Sequence, residues 1–160
     1  MIREEMVKNV ELRDPAKGLG KECETVLRTV PDWFGREDVL LTYVGQIDEL
    51  DTYTAWFKGQ LIGFFSVNCH NEHSAELHVL AVSMDYHRQG VGSALYSAVE
   101  SDLKAKAIKF VQVKTLGVSM NDLNYEKTRQ FYMALGFYPL EEIPDFWGKG
   151  TPCLLMVKRI

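Results

Sequence analysis

The middle of the chain alternates apolar and polar residues in the manner of β-strands. The stretches Thr52–Lys58 and Leu61–Asn68 are rich in aromatic and β-branched residues, which are typical of strands. Between them, the tight-turn segment KGQ predicts a hairpin over residues 52–68. After the polar loop CHNEH, a third strand is predicted at Ser74–Val82.

Two segments after that strand have the apolar spacing of helices. The first helix is predicted from about Gly90 to about Ala107, with an apolar stripe formed by Val91, Ala94, Leu95, Ala98 and Val99. The second is predicted to end at Gly136, because glycine commonly follows the last turn of a helix. Its stripe is formed by Thr128, Phe131, Tyr132 and Leu135.

The remaining segments complete an α/β pattern. A short first strand is predicted at Met6–Leu12, and residues 15–50 are mostly helical with a break at VPDWFG. The segment KFVQVKTL predicts a further strand, and two closing strands are predicted near Phe137–Glu142 and Cys153–Lys158. This order of elements indicates a mixed α/β sheet covered by helices.

The composition indicates an ordinary globular protein without an overall positive field. The 160 residues contain no internal repeat and no linker-like stretch, so residues 1–160 are predicted to form a single domain. The net charge of −4 does not favour nucleic acid or an anionic membrane as a partner. Any site for an anion must therefore be built locally.

The sequence also favours a cytoplasmic location. Its apolar runs are far shorter than the roughly 20 residues that cross a bilayer, and the start MIREEMVKNV lacks the apolar core of a secretory signal. The three cysteines Cys23, Cys69 and Cys153 are odd in number and lack a CxxC spacing. They are interpreted as reduced thiols, and no metal site is predicted.

A loop with two glycines, YHRQGVGSAL, joins the third strand to the first of these helices. Unpaired amides and the helix dipole favour an anion at such a helix start. Gly90 and Gly92 would let a phosphate approach those amides closely. Further donors come from His87, Arg88 and Ser93. Taken alone, the loop is equally consistent with a glycine-containing helix start that holds no ligand.

The neighbouring residues resemble two motifs of the GNAT superfamily of N-acetyltransferases. The phosphate-binding motif Q/R-x-x-G-x-G/A stands here as HRQGVG, with His87 where the family has Gln or Arg. The later segment FYMALGF resembles the family's aromatic-Tyr-x-x-x-Gly-Phe signature. The resemblance spans roughly residues 52–156. It implies a GNAT-like fold, with a mixed, mostly antiparallel central sheet of six to seven strands flanked by about four helices.

The resemblance further implies acetyl-CoA as the co-substrate. The loop would hold the pyrophosphate, and the pantetheine arm would pair with the backbone of Leu80 and Val82 at the splayed end of the third strand, as an added half-strand does. Where the family often has Asn on the last helix, this chain has Tyr125 with Asn124 beside it. The implied cofactor-binding residues are Leu80, Ala81, Val82, His87, Arg88, Gln89, Gly90, Val91, Gly92, Ser93, Asn124 and Tyr125. Affinity for the cofactor is expected to weaken as His87 loses its proton above neutrality.

The chemistry of acetyl transfer requires a base and an acid. By strand alternation, Glu76 shares a face with His78, Leu80 and Val82, while the opposite face is formed by Ala75, Leu77, Val79 and Ala81. Titratable residues inside a strand are uncommon and favour a functional role. The resemblance implies Glu76 as the general base, with His78 in reserve, and Tyr132 as the general acid. The alternatives are a salt-bridged Glu76 and a Tyr132 that only packs in the core.

The acceptor is expected between the early helices and the loop before the last strand. Those regions carry the aromatic residues Trp33, Phe34, Phe146 and Trp147, and the acids Asp32, Glu37, Asp38, Asp48, Glu49, Asp51 and Asp145. Such a lining would suit a cationic amine, although a solvated acidic face beside core aromatics explains the same residues.

The sequence therefore predicts an enzyme that transfers an acetyl group from acetyl-CoA to a primary amine by direct attack. The acceptor is a small molecule or a peptide, and a homodimer is possible. The alternative is a non-catalytic acyl-CoA-binding regulatory module. A nucleotide-binding oxidoreductase is disfavoured, because the third glycine of its fingerprint is replaced by Leu95.

Overall fold

The polypeptide forms a seven-stranded sheet with helices on both faces. The structure, a computed structural model, describes residues 2–160, without the side chains of residues 2, 3 and 7. The strands are β1 (Glu11–Ala16), β2 (Asp51–Phe57), β3 (Gln60–Cys69), β4 (Ser74–Val82), β5 (Phe110–Leu116), β6 (Tyr138–Ile143) and β7 (Cys153–Arg159). Their order is β1-β2-β3-β4-β5-β7-β6, and all neighbours are antiparallel except β4 and β5, which are parallel.

Five α-helices within residues 2–160 cover this sheet, and their apolar stripes build two separate cores. The helices are α1 (Ile2–Asn9), α2 (Gly20–Leu27), α3 (Glu37–Glu49), α4 (Val91–Ala105) and α5 (Leu123–Ala134). On one side, the α4/α5 face, the core contains Leu95, Val99 and Tyr132. On the other side, the α2/α3 face, it contains Leu27 and Ile47.

Most of the predicted elements are confirmed. Strands β2 and β3 form the predicted hairpin, and its turn uses Lys58 and Gly59 with positive φ angles of 49° and 77°. The third strand coincides with β4 at Ser74–Val82. The mixed, mostly antiparallel sheet is confirmed, with five helices in the described residues where about four were expected.

The prediction of a strand at Met6–Leu12 is wrong. Residues up to Asn9 form α1, which has two glutamates in its first turn and Lys8 in its last, an order that suits the helix dipole. Strand β1 begins only at Glu11 and lies at the edge of the sheet. Most of its residues are exposed, so it lacks the apolar alternation that identifies a strand.

A β-bulge interrupts the alternation of side chains along β4. Val67 of β3 is opposite Leu77, but the adjacent Ser66 is opposite Val79, so His78 is the extra residue. Side chains beyond the bulge therefore change sides. The predicted single apolar face of β4 is wrong, because its members divide between the two cores: Ala75 and Leu77 on the α4/α5 face, Val79 and Ala81 on the α2/α3 face.

Strands β4 and β5 separate halfway along their length. Their parallel pairing covers residues 74–77 of β4 and 110–113 of β5. Beyond Leu77 and Val113 the two strands are no longer paired with each other, which leaves a V-shaped gap in the middle of the sheet. We call this gap the cleft, and its apex lies at the bulge.

The edge of β4 that faces the cleft carries unpaired backbone groups. The amide of Ser83 donates to the carbonyl of Ile62 on β3 at 2.8 Å, so its backbone faces away from the cleft. Because successive residues alternate, the backbones of Leu80 and Val82 face the cleft. These are the two residues whose backbone the sequence resemblance assigned to the pantetheine arm.

Candidate active site

The loop after β4 presents backbone amides at the start of α4. Gly90 precedes the helix with a φ of 87°, a left-handed value that favours glycine. The first intrahelical hydrogen bond runs from the Ala94 amide to the Gly90 carbonyl at 3.0 Å. The amides of residues 91–93 therefore have no partner within the helix and, with the helix dipole, favour an anion.

The predicted loop residues meet at this junction between turn and helix. The side chains of Arg88 and Ser93 are exposed, and Val91 is buried in the core. Arg88 has a positive φ of 59°, which is uncommon for a residue other than glycine. The Nε2 of Gln89 donates to the carbonyl of Asp85 at 3.0 Å and so ties the loop to the preceding turn.

Gly92 also has a packing role between α4 and α5. A Cβ at this position would lie 3.0 Å from Cζ and 3.2 Å from Cε2 of Phe131 on α5. The absence of a side chain therefore allows the two helices to approach closely. The loop is thus coupled to the helix that carries Tyr132.

The side chain of His87 points towards β4. Its Nε2–H donates to the carbonyl of Val82 at 2.6 Å, and its ring meets Trp33 edge-on at 6.0 Å between centroids. The sequence prediction had this side chain donate to a phosphate, but the bond to Val82 occupies Nε2. Of the groups that face the cleft, Val82 consequently offers its amide, and Leu80 offers both its amide and its carbonyl.

Ala81 does not face the cleft with its neighbours. It is opposite Phe64 of β3, and its side chain is buried in the core of the α2/α3 face. The backbone of Ala81 faces β3, so Ala81 has no free backbone group for the cofactor contact that was predicted.

Glu76 is buried at the apex of the cleft within a cluster of basic side chains. Its Oε1 accepts hydrogen bonds from Nε2 of His70 at 2.6 Å and from Nζ of Lys114 at 2.9 Å, and its Oε2 lies 3.8 Å from Nδ1 of His78. Burial alone would raise the pKa of Glu76, but the contacts with His78, Lys114 and His70 lower it to about 2. Glu76 is thus a salt-bridged carboxylate that is ionised at neutral pH.

His78, the bulge residue, extends from the sheet towards α3. Its Nε2 lies 2.7 Å from Oε1 of Gln46, and its ring meets that of Tyr43 edge-on at 6.1 Å. The side chain is 27% exposed, compared with 6% for Glu76. Of these two residues, His78 is therefore the one that a bound molecule can reach.

Tyr132 approaches the cleft from the other face of the sheet. It is 4% exposed and packs against Phe131 and Phe137 in the core of the α4/α5 face. Burial raises its pKa well above the ordinary value, and the neighbouring Tyr125 and Tyr43 raise it further. The hydroxyl therefore stays protonated at neutral pH and can act as a proton donor.

A segment between α2 and α3 spans the opening of the cleft through Trp33. Its Nε1 donates to Oγ1 of Thr128 on α5 at 3.0 Å, and its carbonyl accepts from the Tyr125 hydroxyl at 3.3 Å. Because its ring also meets His87, Trp33 joins the end of β4 to α5. Of the two residues left open by the sequence, Tyr125 is the one that makes this contact. The backbone amide of Asn124 donates to Oδ1 of Asp122, the N-cap of α5, at 2.9 Å.

Sequence reasoning missed the partners of the two β4 residues. Lys114 occupies a polar position of an alternating strand. That pattern predicts which face of the sheet its side chain lies on, but it does not predict that the side chain contacts Glu76. Tyr43 and Gln46 are three residues apart on α3, a spacing that predicts a shared helix face and nothing more.

Most of the acidic residues that were predicted to line the acceptor site form ion pairs or hydrogen bonds with nearby protein groups. Glu37 pairs with Arg28 at 2.7 Å, and Asp38 pairs with Arg36 at 2.8 Å. The carboxylates of Asp48 and Asp145 accept from backbone amides at 2.8 and 2.6 Å. Four of the seven acids thus have local partners, which favours the interpretation of a solvated acidic surface.

Two features are absent from residues 2–160. No cluster of three or more His, Cys, Asp or Glu residues in this part of the chain is arranged to hold a metal ion. Likewise, none of its helices combines the length and the apolar character needed to cross a membrane.

Comparison with known proteins places the chain in a class. The acetyltransferase (GNAT) domain family matches residues 48–139, which is more than half of the chain. The chain therefore belongs to the GNAT acetyltransferases. No curated protein sequence matches it.

Solved structures share the fold at low sequence identity. A protein from Desulfovibrio desulfuricans, described as a GNAT-family acetyltransferase, is 18% identical, with a TM-score of 0.81 over 94% of this chain and 98% of its own. An aminoglycoside 6'-N-acetyltransferase complexed with coenzyme A is 18% identical, with a TM-score of 0.72 over 93% and 96%. The ribosomal-protein-S18-alanine N-acetyltransferase of Escherichia coli is 15% identical, with a TM-score of 0.74 over 94% of both chains. At such identities the likeness concerns the fold alone.

Proposed function

We propose that this chain transfers an acetyl group from acetyl-CoA to a primary amine. The observation that carries this proposal is the opening of the β4–β5 ladder beyond Leu77, next to the free amides at the start of α4. The backbone of Leu80 and the amide of Val82 suit the amides of a pantetheine arm. The amides of residues 91–93 suit its pyrophosphate. The coenzyme A bound to the aminoglycoside acetyltransferase of the same fold supports this choice.

The two faces of the sheet supply the two proton-transferring groups. A primary amine has a pKa near 10 and arrives protonated, so it must lose a proton before it attacks the acetyl carbon. Glu76 through a water, or His78, would take a proton on the α2/α3 face. Tyr132 would give a proton to the departing sulfur from the α4/α5 face, because its hydroxyl is protonated at neutral pH.

The acceptor is proposed to be an amine on a small molecule or a peptide. The relatives of the same fold include one that acts on aminoglycosides and one that acts on the alanine of a ribosomal protein. At the apex of the cleft the negative charge of Glu76 is already balanced by Lys114. The apex is therefore not an acidic pocket for a polycation, and we propose that the acceptor presents a single amine there.

A thiol-release assay tests the proposal directly. The chain is mixed with acetyl-CoA and, one at a time, a polyamine, an aminoglycoside, an aryl-ethylamine and an alanine-headed peptide. Release of free thiol that depends on one of these amines supports the enzyme. Binding of acetyl-CoA without release by any of them would instead support the acyl-CoA-binding regulatory module.

A matched pair of glycine variants tests the loop. Gly90 and Gly59 have φ angles of 87° and 77°, so a side chain strains both to a similar extent, about 1–2 kcal/mol. We expect Gly90→Val to weaken acetyl-CoA binding in calorimetry, because it distorts the amide-bearing loop. Gly59→Val, in the β2–β3 turn, should leave it unchanged. Equal affinities for both variants would contradict the loop assignment.

A further inference from the structure

A buried arginine on α5 has no acidic partner among the residues that the structure describes. Arg129 is 7% exposed and belongs to none of the ion pairs within residues 2–160. Its side chain makes one hydrogen bond in this part of the chain, from Nη1 to the carbonyl of Leu116 at 2.9 Å. A buried charge without a counter-charge is costly, so its presence here favours a functional role.

The carbonyl that Arg129 contacts lies on the β5 edge of the cleft. The amide of Gly117 donates to the carbonyl of Pro152 at 3.0 Å, so the backbone of Gly117 faces β7. Successive residues of a strand alternate, so the backbone of Leu116 faces the opposite way, towards the cleft. The pairing of β4 with β5 ends before this residue, and the guanidinium takes the place of the missing strand.

The register of the two strands places this guanidinium across the cleft from Leu80. Leu77 is paired with Val113, and Leu80 and Leu116 each lie three residues further along. The backbone of Leu80 faces the cleft with a free amide and a free carbonyl. A molecule between the two strands at this level therefore has backbone groups of β4 on one side and the guanidinium of Arg129 on the other.

A second polar group on the same stretch of β5 is also left without a partner. Thr115 is 4% exposed, and its Oγ1 has no hydrogen-bond partner among the described residues. By strand alternation its side chain lies on the same face as Val113, which belongs to the core of the α4/α5 face. A buried polar group without a partner costs about 1–3 kcal/mol. The β5 side of the cleft thus carries polar groups that the chain itself does not saturate.

We propose that Arg129 donates a hydrogen bond to an amide carbonyl of the pantetheine arm of acetyl-CoA. A guanidinium has five N–H donors and no acceptor, and one hydrogen bond to Leu116 leaves donors available. Hydrogen bonds from a charged donor are also stronger than those between neutral groups. This inference rests on the proposed use of acetyl-CoA, and it adds a cofactor-binding residue that neither sequence motif assigns. The arm would then be held from both strands.

A matched pair of substitutions on α5 tests this role. Calorimetry should show that Arg129→Met weakens the binding of acetyl-CoA by about 10- to 100-fold, the usual effect of losing a charge-assisted hydrogen bond. The control is Lys127→Met, which removes the same charge from an exposed position of the same helix. It should retain the affinity within about threefold. Unaltered affinity in Arg129→Met would overturn the inference.

A truncated cofactor separates the pantetheine arm from the phosphates. S-acetylpantetheine carries the same amides as acetyl-CoA but lacks the pyrophosphate and the nucleotide. If Arg129 contacts the arm, Arg129→Met should weaken the binding of both molecules by the same factor. A loss confined to acetyl-CoA would show that Arg129 acts on the phosphates, and the inference would be wrong.

A measurement on the unaltered chain does not depend on how well Arg129→Met folds. The guanidinium ¹⁵N–¹H resonances of Arg129, identified by their absence from Arg129→Lys, should shift when S-acetylpantetheine is added. Resonances that stay unchanged at saturation would contradict the contact. If the unaltered chain does not bind acetyl-CoA, the proposed function itself fails. If it binds acetyl-CoA and Arg129→Met binds equally well, only the role of Arg129 fails.

Discussion

The carboxylate of Glu76 on β4 meets the ammonium of Lys114 on β5 at 2.9 Å, across the apex where the two strands separate. The side chain of Glu76 is 6% exposed and that of Lys114 is 25% exposed. Losing one partner of a buried pair leaves an uncompensated charge, which is strongly destabilising. The stability of the sheet at this point therefore depends on whether the carboxylate of Glu76 is ionised.

The first prediction concerns the pH dependence of stability. The pKa of Glu76 is lowered from 4.5 to about 2 in the folded chain, so the carboxylate stabilises the fold above pH 4.5, and this contribution disappears as the pH falls through about 2. Glu76→Gln should lower the free energy of unfolding by about 3 kcal/mol at pH 7 and by almost nothing near pH 2. Urea unfolding across this pH range measures the difference.

A control for that measurement is Glu72→Gln. Glu72 is 83% exposed and contacts only His73 among the described ion pairs. Its substitution should change the free energy of unfolding by less than about 0.5 kcal/mol at either pH. A constant effect of Glu76→Gln from pH 7 to pH 2 would show that its carboxylate does not contribute through ionisation.

The sheet was predictable from the sequence to the extent that its strands alternate or carry β-branched residues. Strands β2, β3 and β4 have this pattern, whereas the exposed edge strand β1 does not. The bulge at His78 could not be predicted. The sequence SAELHVLAV is regular throughout, and only the pairing with β3 reveals the inserted residue.

The site was predictable in part for a similar reason. The loop around Gly90 is local in sequence, so its motif alone locates it at the start of a helix. The partners of Glu76 come from other elements, and the register of β4 against β5 brings Lys114 to it. The bond from His87 to Val82 depends on the fold of the turn between them, which residue types do not determine.

The second prediction concerns the close packing of Gly92 against α5. A Cβ there would lie 3.0 Å from the Phe131 ring, so in Gly92→Ala the ring must shift by a few tenths of an ångström, and we expect a destabilisation of about 1 kcal/mol. Because α5 carries Tyr132, kcat should fall as well. The control is Gly45→Ala on α3, where a Cβ meets nothing within 4 Å. Thermal unfolding should show that this change stabilises the chain by up to about 1 kcal/mol.

The third prediction concerns the hydroxyl of Tyr132. Tyr132→Phe preserves the packed ring and removes only the proton donor, so kcat should fall by about 10- to 100-fold with little change in acetyl-CoA affinity. Tyr96→Phe is the control, because Tyr96 is another buried tyrosine with a raised pKa, and its hydroxyl has no partner among the described residues. Steady-state thiol release separates the two variants. Equal kcat for both would remove Tyr132 from the mechanism.

The fourth prediction concerns the pH dependence of cofactor binding. The bond from His87 to Val82 uses Nε2–H, which the ring can provide whether neutral or protonated. The sequence favoured an affinity that falls as His87 loses its proton, but in this geometry Nε2 donates to Val82 and not to the loop. Calorimetry between pH 6 and pH 8 should therefore give a nearly constant affinity for acetyl-CoA. A marked fall that disappears in His87→Gln would restore the role that the sequence suggested.

The last prediction concerns Trp33, which contacts both sides of the cleft opening. The proposed path of the pantetheine arm along β4 leads to the loop of His87, whose ring Trp33 contacts. Acetyl-CoA should therefore displace or cover the indole and change its fluorescence. In a chain with Trp56→Phe and Trp147→Phe, the emission comes from Trp33 alone, because the sequence has three tryptophans. An emission spectrum unaffected by saturating acetyl-CoA would mean that the arm follows another path, and the assignment of Leu80 and Val82 would then fail with it.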